Sequence, residues 1–117
     1  MFKVLITGGR EYSNRKYVFE YLDEFHKATP ISLLIHGGAT GADYLAGEWA
    51  KSREIPFKVY PAEWKKYGKR AGPIRNQQML DEESPEFVIA FPGNSGTKDM
   101  INKAEKAKIT VFKPNEK

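Results

Sequence analysis

With 117 residues, 40% hydrophobic and 29% charged, the chain has the size and composition of one soluble globular domain. The lack of cysteine excludes disulfides, thiolate metal sites and a cysteine nucleophile, and no apolar run approaches the ~20 residues of a membrane span. A net charge of +4 and a pI of about 9.2 fit either a lysine-rich solvated surface or a field that attracts an anionic ligand, and the placement of the charges decides between them.

The opening MFKVLITGG lacks the basic segment, long apolar core and cleavage site of a signal peptide. It reads as a first strand over residues 2–6, and a cytoplasmic location is the expectation. Further short apolar runs at 32–35 (SLLI), 56–60 (PFKVY), 87–91 (FVIAF) and 109–112 (ITVF) are β-branched, bounded by Gly or Pro, and predict four more strands. Between them, 14–28 carries Val18, Leu22 and Phe25 at helical spacing, and 42–53 carries Ala42, Leu45, Ala46, Trp49 and Ala50. A shorter helix is expected over 74–82, and 97–107 turns Met100, Ile101, Ala104 and Ala107 inward. Strand–helix alternation implies right-handed crossovers and a parallel sheet covered on both faces. The expected architecture is therefore a single Rossmann-like α/β three-layer sandwich over residues 1–117, with a five-stranded parallel sheet in the order 3-2-1-4-5. The one long connection is 61–73.

Three of these strands run into glycine-bearing turns, ITGGREYSN, IHGGATGAD and FPGNSGTKD. In a parallel sheet the C-terminal strand ends share one edge, and ligands bind outside it where the strand order reverses, here between the first and fourth strands. Glycine admits positive φ and close backbone approach, and a helix N-terminus suits an anion. Gly8, Gly9, Gly38, Gly41, Gly93, Gly96 and Thr97 are thus candidate phosphate contacts, Gly37 and Pro92 are candidate ligand-binding residues beside them, and Arg10 supplies charge. No lysine follows Gly41, so a P-loop is not expected, and the G-G-x-x-G spacing misses the dinucleotide fingerprint. Asp43 and Asp99 are each placed in the first turn of a helix, where an acid either complements the dipole or bonds ribose hydroxyls. His36 reads as a satisfied, partly buried histidine. No spacing of His, Asp and Glu suggests a metal site, and no cofactor is expected.

The segment EWKKYGKRAGPIRNQQM concentrates Lys65, Lys66, Lys69, Arg70 and Arg75 around Trp64 and Tyr67. Aromatics stack on bases, and guanidinium groups hold phosphates by paired hydrogen bonds. Arg75 and Asn76 are the sharper pair, because Gly72-Pro73 marks a helix start just before them. The same interleaving is a weaker signal for nucleic acid, which is not the expected partner. Exposed aromatics leave a homo-oligomer open.

Together, GGREYSNR, IHGGATGADYLAGEWA, GPIRNQQML and AFPGNSGTKDM resemble, in order and across nearly the full chain, the YspA-like branch of the SLOG superfamily. The resemblance implies a Rossmann-like domain that binds nucleotides or nucleotide-derived ligands such as ADP-ribose signals, as a sensor or sequestering protein. Related LOG enzymes are phosphoribohydrolases with an arginine ahead of P-G-G-x-G-T-x-x-E, whose last glutamate is catalytic. Arg75 resembles that arginine, and Pro92, Gly93, Gly96 and Thr97 match the motif. Asn94 replaces its second glycine and Met100 its glutamate. Asp99 stands one residue earlier, a rotation of ~100° on a helix. Binding without cleavage is the favoured implication. An N-glycosidic hydrolase using Arg75 and Asp99 is the alternative, and a DNA-associated module related to DprA the third.

Overall fold

The five apolar runs all enter one parallel sheet. The computed structural model describes residues 1–116, with strands β1 (Phe2–Thr7), β2 (Ile31–His36), β3 (Phe57–Val59), β4 (Phe87–Ala90) and β5 (Thr110–Phe112) in the order β3-β2-β1-β4-β5. The helices are α1 (Arg15–Ala28), α2 (Ala42–Ser52), α3 (Trp64–Tyr67), α4 (Ala71–Glu83) and α5 (Ser95–Lys106). No described helix is long and apolar enough to cross a membrane.

The central strand β1 is apolar on both sides because both are covered. Val4 and Ile6 face Val18 and Leu22 of α1 and Leu45, Ala46, Trp49 and Ala50 of α2. Leu5 faces the opposite layer, where Met79 and Leu80 of α4 and Met100 and Ala104 of α5 close the core. The small residues of α2 have a packing reason: a Cβ on Gly47 would lie 2.9 Å from the His36 ring. Across the outer surface of α1 and α2, Asp23 accepts from Trp49 Nε1 at 2.8 Å and from Arg53 at 2.8 Å.

Two helix starts lie earlier than expected. The connection over 61–73 contains α3 and a 3-10 turn (Gly68–Arg70), and α4 then begins at Ala71 rather than at residue 74. Gly72 and Pro73 therefore sit inside its first turn, where the missing proline N–H costs no helical bond. The second difference, α5 beginning at Ser95 rather than at residue 97, corrects the placement of Asp99. That residue lies in the second turn, and the first turn of α5 contains no acid.

Candidate functional site

A cleft of about 980 Å³ opens at the C-terminal sheet edge, where the order reverses between β1 and β4. Its walls are the β1–α1 turn (Gly8, Gly9, Arg10, Glu11, Tyr12), the β4–α5 turn (Pro92 to Thr97, then Asp99) and the start of α4 (Gly72, Pro73, Arg75, Asn76). The two glycine turns are packed on each other. Gly9 N–H donates to the Pro92 carbonyl at 2.9 Å, and a Cβ on Gly9 would stand 2.9 Å from that same oxygen. A Cβ on Gly93 would overlap the Thr97 hydroxyl. Gly96 differs, because nothing lies within 4 Å of its would-be Cβ. At this end Asn94 gives α5 no side-chain cap, and the first helical amide bond is Lys98 onto the Asn94 carbonyl at 3.0 Å. The amides of Ser95, Gly96 and Thr97 therefore border the cleft without a protein acceptor among the described residues. Such amides, at the positive end of a helix dipole, suit an anion.

The β2–α2 turn is organised differently. Asp43, 6% exposed, accepts from the amides of Gly37 (3.1 Å) and Ala39 (3.3 Å). Burial pushes its carboxyl up to about 6, against the opposing pull of those amides, Arg75 and Arg10. Gly41 has φ +78° and lies against Gly9 and Arg10 so closely that a Cβ would overlap their backbone. The amide of Ala42 donates to the Gly9 carbonyl at 3.1 Å. His36, buried beneath the turn, stacks on Phe57 and accepts from Gly38 N–H at 3.0 Å through Nδ1. Burial, with Arg75 and Lys51 nearby, lowers its pKa to about 4, so the ring is neutral at pH 7. It is a core histidine with its acceptor satisfied.

Arg75 is clamped by three hydrogen bonds. Its Nη1 donates to the Gly37 carbonyl at 2.6 Å and to Tyr60 at 3.3 Å, and its Nε donates to Asn76 Oδ1 at 3.0 Å. Gly37 must be glycine for this, since a Cβ there would overlap the guanidinium. Burial pushes the guanidinium pKa down; the Asp43 carboxylate opposes this and Arg10 adds to it. Asn76, 4% exposed, passes the link onward through Nδ2 to the Gly96 carbonyl (3.2 Å) and Asp99 Oδ2 (3.0 Å). Asp99 Oδ1 receives Lys103 at 2.5 Å. One polar chain thus fixes α4 to α5 across the cleft wall. Met100, at the motif position of the LOG glutamate, is fully buried among Leu5, Met79 and Val88.

A second cavity of about 310 Å³ adjoins the first, behind Arg75. Gly37, Gly38, Thr40, Pro61 and Ala62 line it, while Arg10, Ala39, Trp64 and Arg75 border both spaces. Of the fourteen residues expected at the site, eleven therefore meet the larger cleft, Gly37 and Gly38 meet only the smaller one, and Gly41 lines neither. Sequence reasoning missed Thr7, Glu11, Tyr12 and Ser95 as cleft residues. Ser95 carried a signal inside the PGNSGT run, as did Glu11 and Tyr12 inside GGREYSNR; only folding brings Tyr12 onto Phe91, 5.6 Å between ring centroids.

The family model described as YspA, cpYpsA-related SLOG family matches residues 2–67, which run from β1 through α3. Gene 61 protein of Mycobacterium phage D29 is 40% identical over 120 residues, spanning 96% of this chain and 95% of that protein. That second similarity extends over α4 and the β4–α5 turn, which the family match does not reach.

Proposed function

We propose, from the premise that the chain belongs to the YspA, cpYpsA-related SLOG family, that its large cleft binds a phosphate-bearing nucleotide or ADP-ribose derivative, as a sensor or sequestering protein. The observation that carries this reading is the uncapped N-terminus of α5. The first three residues of α5, whose amides have no protein acceptor among the described residues, line a cleft whose walls also present Arg10 and Arg75. An anion placed there meets backbone donors, a helix dipole and guanidinium charge together. The clamped Arg75 spends only some of its donors on Gly37, Tyr60 and Asn76, and a guanidinium held in this way suits preorganised recognition.

Binding is favoured over cleavage for a structural reason. The motif position of the LOG glutamate is a buried methionine, and each Asp99 oxygen already serves a protein donor. In a hydrolase reading, Asp99 would have to stabilise a developing cation while tied to Asn76 and Lys103.

Thermal-shift measurements with AMP, ADP-ribose and NAD test the proposal. A ligand at 100 times its Kd adds about 2.7 kcal/mol of stability. Arg75→Ala is expected to weaken binding by at least about 30-fold, the usual scale for losing one partner of a buried charge-assisted contact. No change in Tm with any of the three ligands sinks the reading. A rise in Tm accompanied by base release, with the release abolished in Asp99→Ala, replaces it with the hydrolase.

A further inference from the structure

We infer that Trp64 is the base-stacking platform of this site, an assignment that rests on the nucleotide reading above. The two tryptophans make opposite use of their rings. Trp49 is fully buried, with its Nε1–H bonded to Asp23. Trp64 is 45% exposed on a four-residue helix that has no buried residue. Core packing therefore gives no reason for an indole at position 64.

The ring is nevertheless held in place. One edge rests over Gly72, close enough that a Cβ there would touch the indole at 3.4 Å, an ordinary contact distance. The Arg10 guanidinium sits over the ring, 4.9 Å from its centroid. Trp64 also stands at the border of the two cavities, together with Arg10 and Arg75. A phosphate on the α5 amides would occupy a small share of the 980 Å³ cleft, so the remaining space and an aromatic wall await the nucleoside part of the ligand. Base–aromatic stacking outweighs an exposed cation–π contact. A base that stacks on the indole thus takes the place of the Arg10 guanidinium and leaves that charge to pair with the ligand's phosphate. The ligand class this selects carries a flat base and an anionic group on opposite sides of a sugar, and a base-free sugar phosphate lacks half of the recognition.

Titration of the full chain with AMP, ADP-ribose and ribose 5-phosphate, followed by calorimetry and tryptophan emission, tests the assignment. Trp49 is sealed in the core, so a change in emission on adding AMP reports Trp64. Quenching by AMP and ADP-ribose but not by ribose 5-phosphate is expected. Trp64→Ala is expected to weaken AMP binding by roughly 10- to 100-fold and leave ribose 5-phosphate within about twofold, and Trp64→Phe to restore most of the AMP affinity. Equal affinity of the wild type for AMP and ribose 5-phosphate overturns the platform and leaves the phosphate site standing. So does a Trp64→Ala variant that weakens both ligands alike or neither. Failure of all three ligands to bind the wild type overturns the nucleotide reading itself, and the platform with it.

Discussion

The N-termini of α2 and α5 look alike in the sequence and differ in the fold. Each follows a glycine turn at the C-terminal sheet edge and has an aspartate close behind. At α2, which is likewise without a side-chain cap, the turn before the helix is filled by the protein itself. Asp43 takes the amides of Gly37 and Ala39, the Ala42 amide goes to Gly9, and Gly41 is pressed onto the β1–α1 backbone. At α5 the aspartate has moved one turn down and is committed to Asn76 and Lys103, so the terminal amides are left to the cleft. A glycine turn before a helix is thus two different objects. One is a buckle that holds neighbouring turns together, and the other is a donor surface. What separates them is whether a carboxylate lies within reach of the turn's own amides.

The sharpest way to break this contrast is Gly41→Ala. Gly41 combines φ +78° with a Cβ position that overlaps the Gly9 and Arg10 backbone, so neither a rotamer nor a side-chain movement relieves it. The expected loss is roughly 2–5 kcal/mol, from left-handed strain plus overpacking. For a domain of this size that lowers Tm by at least about 8 °C. A variant that melts like the wild type would show that the β2–α2 turn is not a buckle at all.

The second test uses pH, because the α2 turn holds two groups whose pKa values are displaced in opposite directions. The Asp43 pKa stands near 6 in the fold, above its ordinary 3.8. Between those values the folded state binds more protons than the unfolded state, so this group makes stability fall as pH rises from about 4 to 6. The His36 pKa stands near 4, below its ordinary 6.5. There the unfolded state binds more protons, so this group makes stability rise with pH over nearly the same window. A tenfold change in proton affinity corresponds to about 1.4 kcal/mol, which puts each contribution on the order of 3 kcal/mol. In the wild type the two oppose each other, and urea unfolding between pH 4.5 and 6 should change little on their account. Asp43→Asn should uncover the rise and His36→Gln the fall. If both variants keep the wild-type slope, the turn is not sealed from water as the structure has it.

Much of the fold was legible because the sheet is parallel and buried. Val4, Leu5 and Ile6 are apolar in succession only because helices cover both faces, and Gly or Pro marks the strand ends. Chain alternation and handed crossovers point to an open parallel sheet, and the order expected for it, 3-2-1-4-5, with the cleft at its reversal, is the one observed. The expectation that three glycine turns converge on one edge matches the fold, but their equivalence does not. Whether Gly41 faces a ligand or Arg10 depends on the separation of two backbones distant in sequence, and local spacing does not carry that distance. Asp99 was placed a turn too early because Ser95 and Gly96 read as loop residues. The helix nonetheless reaches back over them, with no side-chain cap at Asn94. Arg75 was found from charge beside a helix start, whereas its clamp on the Gly37 carbonyl needed the fold.

The smallest expected effect discriminates best between buckle and donor surface. Gly96 is helical, carries no positive φ, and has nothing within 4 Å of its would-be Cβ. Packing therefore gives no reason for glycine there, and Gly96→Ala should stabilise the free protein by up to about 1 kcal/mol, the ordinary helix preference for alanine. Gly96 nonetheless lines the cleft between Ser95 and Thr97, so an added methyl group is expected to narrow the space proposed for phosphate. Gly96→Ala should therefore raise Tm slightly and weaken AMP binding, the reverse of what a scaffold glycine does. A rise in Tm with unchanged AMP affinity would move the anion away from α5. A fall in Tm would make Gly96 a second Gly41 and erase the distinction between the two turns.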